Sequence, residues 1–232
     1  MKTIDVCLTP ELLHLYDVSN KAVVVVDILR ATSCMVTALA SGADHIVPVA
    51  SLDECRTMKA QGYIISGERD GVKVPDFDKG NSPFEYLDEM HGKKIAFTTT
   101  NGTQAIEKSK NASVLVVGAF LNLSAVADFL HQQHHSILIV CAGWKGRYSL
   151  EDTLFAGALV EKVQRFASLD CDAGLSAWHL YREAKKDLVG YLEQSSHVRR
   201  LNRLNIYRDI EFCVTVDKFH HVPKLRDGRL VV

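Results

Sequence analysis

Val23-Val24-Val25-Val26-Asp27-Ile28-Leu29-Arg30-Ala31-Thr32-Ser33 is the stretch from which the rest of the chain can be read. Four consecutive valines predict a strand over 22–27 buried on both faces, because β-branched side chains fit a pleated surface and a parallel strand is covered above and below. A carboxylate stands at the strand's exit. An arginine follows, then two hydroxyls where a helix over Ala31 to Ser41 begins. Open α/β sheets bind ligands beyond the carboxyl ends of their strands, and a helix N-terminus there presents free N–H groups to an anion. Two readings of this stretch are open. In one, Asp27 and Arg30 belong to an anion or metal site. In the other, Asp27 caps the helix and Arg30 pairs with it.

Outward from this stretch, strands and helices alternate. Short apolar runs predict strands over 2–8, 45–49, 63–65, 94–97, 114–118 and 137–141, with helices over 51–61, 103–109, 122–133 and from Ser149 onward. This rhythm predicts one α/β domain over residues 1–232, a mainly parallel or mixed sheet with helices on its faces. Residues 66–81 break it: four acids and three bases stand among three glycines without periodicity, and irregular segments of this length are often functional. Ser82-Pro83-Phe84-Glu85 predicts a capping box opening a short helix to about Met90. Ala173 to about Asn205 reads as helical and charged, with Arg199, Arg200 and Arg203 on a solvated face. Asp227-Gly228 reads as a hairpin turn.

Two further strand exits carry small polar residues. Thr98-Thr99-Thr100-Asn101-Gly102-Thr103 holds more hydroxyls than one helix cap needs, which favours an anion site over capping. Ala142-Gly143-Trp144-Lys145-Gly146-Arg147-Tyr148-Ser149 leads into Glu151 and Asp152, which are either first-turn acids or a metal-binding pair. If the strands are parallel, these exits converge with Asp27, Arg30, Thr32 and Ser33, and the irregular loop adds Glu68, Arg69, Lys73, Asp78 and Asn81. Such a pocket suits a phosphate with a hard divalent cation, since Mg²⁺ prefers one or two carboxylates, waters and substrate oxygens.

Net charge is −1 over 232 residues, which argues against a nucleic-acid partner. No apolar run is long enough for a bilayer span, and residues 1–5 show no signal-peptide core. Six scattered cysteines without a C-x-x-C pair suggest buried thiols in a reducing cytoplasm. No Walker A or G-x-G-x-x-G motif points to a nucleotide. A homodimer is the default expectation for an oligomer.

Five blocks in order, Val26 to Ser33, Gly67 to Lys73, Phe77 to Pro83, Thr98 to Thr103 and Ala142-Gly143…Gly146…Ser149 to Asp152, resemble the 2-phosphosulfolactate phosphatase (ComB) family. They span roughly residues 20–160, with a weaker match near Val222-Pro223. The resemblance implies a three-layer α/β/α sandwich and a Mg²⁺-dependent phosphatase. Its substrate would be 2-phospho-3-sulfolactate, on the route to coenzyme M, or a related 2-phosphohydroxy acid. Val74-Pro75-Asp76 departs from the family pattern, where a glycine is expected.

On this reading Asp27, Arg30, Glu68 and Asn101 are catalytic. Asp27, Glu68, Asp78, Glu151 and Asp152 are the metal candidates. Thr32, Ser33, Arg69, Lys73, Asn81, Thr100, Gly102, Thr103, Lys145 and Gly146 bind substrate, and Arg147 is a further base for its carboxylate or sulfonate. Whether Asp27 attacks phosphorus or holds metal stays open. The second aspartate of haloacid-dehalogenase phosphatases is Leu29 here, which favours metal-activated water. The alternatives are a non-catalytic binder of phosphorylated metabolites, or a lyase or isomerase using Glu68 or Asp78 as base.

Overall fold

The computed structural model describes residues 1–203 and 206–232. The predicted helical stretch to Asn205 therefore ends at two residues, 204 and 205, that lie outside the described set.

The four valines sit in β2 (Lys21–Val26), where Ala22 through Val26 are fully buried. β7 (Val114–Gly118) and β8 (Ser136–Cys141) flank it, both parallel, with Val24 opposite Val116 on one side and Ile139 on the other. β1 (Thr3–Cys7) follows β8, and the short β9 (Ser168–Leu169) forms that edge. A second parallel block holds β3 (His45–Pro48), β6 (Lys94–Thr98) and β4 (Ile64–Arg69).

The two blocks are not continuous. The hairpin β10 (Lys224–Arg226) and β11 (Arg229–Val231) lies between them, pairing antiparallel to β7 at Lys224–Val116 and to β3 at Leu230–Ile46. The sheet is therefore mixed. Asp227 and Gly228, both at positive φ, make the predicted hairpin turn.

Helices flank the sheet. α1 (Ala31–Ala40) follows β2, α2 (Leu52–Lys59) follows β3, α3 (Gly102–Ser109) follows β6, α4 (Leu123–Gln132) precedes β8 and α5 (Leu150–Val163) follows it. Ser51 caps α2, accepting the Glu54 N–H at 3.1 Å. The predicted charged helical run is three helices, α6 (Asp172–Ala184), α7 (Leu188–Leu192) and α8 (Ser196–Asn202); α9 (Tyr207–Cys213) comes after. Among the described residues no helix is long and apolar enough to cross a membrane. All six cysteines are free thiols, and five are buried.

Two local expectations fail. The segment 66–81 is not wholly irregular: β4 continues to Arg69, turns at Asp70-Gly71 and returns as β5 (Val72–Lys73), with Glu68 opposite Lys73. Both turn residues have positive φ, as a two-residue hairpin loop demands, so the Asp-Gly signal was present but flanked by charges rather than apolar residues. Residues 83–90 form only a 3₁₀ turn, Pro83–Tyr86. The Ser82 hydroxyl donates to Asp209 instead of capping, and the Glu85 carboxylate takes the Gly80 N–H.

Candidate active site

The β2 exit is shaped by backbone satisfaction. Thr32 Oγ1 accepts the Asp27 N–H at 3.0 Å and donates to the Asp27 carbonyl at 2.9 Å. Ser33 Oγ donates to the Ile28 carbonyl at 2.8 Å. Both side chains are fully buried, and their hydroxyls are engaged by the backbone of the turn. Asp27 keeps its carboxylate: Oδ1 takes the Ala31 N–H at 3.3 Å, and Oδ2 lies against Gly102, the first residue of α3. A β-carbon on Gly102 would fall 2.7 Å from that oxygen, so only glycine permits this approach. The exits of β2 and β6 therefore meet, although they belong to different parallel blocks.

Glu68, at the end of β4, joins them. Its Oε1 accepts the Thr100 N–H at 2.8 Å and its Oε2 the Gly71 N–H at 2.6 Å. In the threonine-rich exit, Thr99 and Thr103 cap each other: each hydroxyl accepts the other's N–H at 3.2 Å. Thr103 thus serves as a cap, and its hydroxyl also donates to the Thr99 carbonyl at 3.1 Å. Thr100 Oγ1 is left buried without a partner among the described residues. Asn101 Oδ1 accepts the Lys145 N–H at 2.9 Å, which brings the β8 exit to the same place. Lys145 and Gly146 form the tip of a tight turn closed by paired Trp144–Arg147 backbone bonds. Lys145 Nζ reaches Asp70 on the β4–β5 turn at 2.5 Å, an exposed ion pair between two loop tips.

The adjacent acids of α5 diverge, as neighbours on a helix must. Asp152 takes the Ile28 N–H at 2.8 Å and the Gly143 N–H at 3.0 Å, stapling two strand exits, so both oxygens are occupied by backbone. Glu151 pairs with His197 Nδ1 of α8, and its Oε2 is buried without a partner. The bases are mostly committed. Arg30 bonds the buried Asp209 of α9 and the Gly71 carbonyl. Arg69 bonds the Glu68 carbonyl and Thr98 Oγ1. Lys73 donates to the Asp78 carbonyl. Asp78 pairs with Lys59 and accepts the Ile65 N–H. Asn81 is buried with Oδ1 unpartnered.

The electrostatics single out Asp27. Burial pushes its pKa up to about 7; His197 pulls it down, while Glu68 and Glu151 push it further up. Asp152 is also raised, by burial first and then by Glu151 and Asp27. Asp27, Glu151 and Asp152 thus repel one another, while His197 holds Glu151 below the usual carboxylate range against its burial. Among the described residues no three acid, histidine or cysteine side chains close into a metal cage of their own.

Two cavities lie beside these strand exits, the larger of them lined by Glu151 and neither by Asp27 or Glu68. One, about 290 Å³, is lined by Thr100, Asn101, Gln104, Lys108 and Lys145. The other, about 470 Å³, is lined by Trp144, Arg147, Tyr148, Glu151, His197 and Arg200 among others. His197 packs against Trp144 with ring centres 5.3 Å apart, and the Arg200 guanidinium lies 3.7 Å over the Trp144 ring. Arg200 is therefore not on a solvated face. His197 and Asp209 carry no sequence signal and Arg200 reads as solvated, because α8 and α9 hold no local motif; Ser195 only marks a helix cap.

The family model for 2-phosphosulpholactate phosphatase matches residues 7–228. A Thermotoga maritima protein named "Probable 2-phosphosulfolactate phosphatase" is 44% identical over 217 residues, covering 93% of each chain. A protein of the same name from Caldanaerobacter subterraneus subsp. tengcongensis is 40% identical, over 91% of this chain and 90% of its own. A third, from Carboxydothermus hydrogenoformans, is 38% identical over 99% of this chain and 96% of its own. Matches of this extent leave no part of the site outside the alignment, and the chain belongs to the 2-phosphosulpholactate phosphatase family.

Proposed function

We propose that this chain is a Mg²⁺-dependent cytoplasmic phosphatase that hydrolyses the phosphate monoester of 2-phospho-3-sulfolactate or a related 2-phosphohydroxy acid. The names of its relatives support the substrate. The observation that carries the reading is Asp27: a buried carboxylate under the first turn of a helix, whose pKa burial and the neighbouring Glu68 and Glu151 push up.

These residues fit a hard divalent cation. Glu151 Oε2 is a buried, unpartnered carboxylate oxygen, and buried acids that repel each other call for a positive charge. A set short of a full cage is what Mg²⁺ uses when waters and substrate phosphate complete its shell. Asp27 would hold the ion together with Glu68, each of whose oxygens keeps a lone pair beyond its one backbone N–H bond, with Glu151 in reserve. Bound there, Mg²⁺ supplies charge neutralisation for the phosphoryl oxygens. Thr100 Oγ1 and the Gly102 N–H at the head of α3 would bind those oxygens. Asn101 holds the Lys145 turn over them, and Arg30 keeps the Gly71 turn in place. Hydrolysis breaks the ester P–O bond, passes the phosphoryl group to water and leaves a proton on the sulfolactate hydroxyl. Asp27 holds metal rather than attacking phosphorus, since Leu29 offers no second acid.

The test is phosphate release with Mg²⁺ and with chelator, on wild type and Asp27→Asn. Loss of about 10³-fold or more in kcat/KM is expected in the variant, with its circular dichroism unchanged, and chelator should silence the wild type. Full activity in chelator would sink the metal role. A trapped phosphoaspartate at Asp27 would reverse the preference for water.

A further inference from the structure

The bases that the sequence marks for the substrate's other anionic groups are largely spent on protein. Arg30 is tied to Asp209, Arg69 to Thr98, Lys73 to a loop carbonyl and Lys145 to Asp70. Two guanidinium groups are differently placed. Arg147 and Arg200 both line the 470 Å³ cavity, and neither forms an ion pair among the described residues. Arg200 Nη2 is buried with no hydrogen-bond partner. A buried, unsatisfied donor on a charged group needs an explanation, and an absent anionic partner is the simplest one. Burial also lowers the Arg200 pKa, as a guanidinium stripped of water requires, while Glu151 and Asp70 raise it.

We infer that Arg200, held on the face of Trp144 and assisted by Arg147, is the subsite for the sulfonate of the substrate. This rests on the function proposed above. A sulfonate is a weakly basic, three-oxygen anion, matched by the fixed donor fork of a guanidinium. Stacking on an indole face holds that fork in one plane and keeps its charge. Arg200 lines the same cavity as Glu151 and His197, which are hydrogen-bonded to each other, so the subsite borders an acid that the proposed reaction uses.

The experiment compares hydrolysis of 2-phospho-3-sulfolactate and 2-phospholactate, which lacks the sulfonate, by wild type, Arg200→Ala and Arg200→Lys. It pairs this with calorimetric binding of 3-sulfolactate and lactate. Arg200→Ala is expected to lower the ratio of kcat/KM for the sulfonated over the unsulfonated ester by about 100-fold, chiefly through KM, with partial rescue by lysine. An unchanged ratio in both variants overturns the assignment, and so does an equal loss on both esters, which would make Arg200 a carboxylate or structural residue. If wild type hydrolyses neither ester, the proposed function fails. In that case 3-sulfolactate binding that is lost in Arg200→Ala still supports the subsite, and absence of binding overturns both.

Discussion

Asp27 is a carboxylate that folding makes harder to ionise, and this has a measurable sign. Its pKa stands near 7, against an ordinary value of 3.8. Below pH 4 it is protonated in folded and unfolded chains alike, and folding gains or loses nothing. As pH rises past 4 the unfolded chain ionises first, so a penalty on folding grows until about pH 7 and then levels off. The metal-free protein should therefore melt at a lower temperature at pH 8 than at pH 5. The Asp27 share is at most about 4 kcal/mol, from a shift of roughly three pH units. Asp27→Asn should remove much of that slope, although Asp152 contributes in the same direction. Added Mg²⁺ should raise the melting temperature more at pH 8 than at pH 5, because binding requires the ionised acid. Melting curves at both pH values check both signs, and a flat profile in wild type would contradict the burial of this group.

At the scale of elements, the first turn of α3 is set against the end of β2 through Gly102. Gly102→Ala inserts a methyl 2.7 Å from both Asp27 Oδ2 and Ala31 Cβ. Either the carboxylate or the helix must move. The expected outcome is a fall of about 10²-fold in kcat/KM, because displacement of about an ångström at a reacting centre costs on that order, together with a destabilisation of about 1–3 kcal/mol from overpacking. Kinetics and denaturant titration separate the two effects. Element by element, much was legible. The buried strand, the three polar exits and the Asp-Gly hairpin turn at 227–228 all follow from local patterning. What local patterning could not separate was capping from ligand binding. Thr32, Ser33, Thr99 and Thr103 have the residue types of a phosphate cradle, yet their hydroxyls are used on the backbone, which has prior need of them. Glu151 and Asp152 look equivalent in sequence, but about 100° of helix rotation sends one to His197 and the other to two backbone amides. His197, Arg200 and Asp209 arrive from later helices whose pattern is only polar, so only tertiary contacts reveal them.

For the whole molecule, the hairpin β10–β11 is the seam. Within the sheet it joins the two parallel blocks, with Leu230, fully buried, opposite Ile46 and Lys224 opposite Val116. Leu230→Ala should cost about 2–5 kcal/mol in global stability. Because the exits of β6 and β2 come from opposite sides of that seam, the loss should be accompanied by weaker Mg²⁺ binding, measurable by titration calorimetry on the still-folded fraction. A stability loss with unaltered Mg²⁺ affinity would show that the site is held by the loops alone.

The same seam bears on how the chain reaches its native state. Pairings such as Leu230 with Ile46 must wait for widely separated segments to find each other, while β2 and its neighbours need shorter excursions. Closing such large loops is entropically slow. Refolding is then expected to pass through a stage in which two half-sheets exist but have not docked, and the enzyme recovers turnover only after most of its secondary structure has returned.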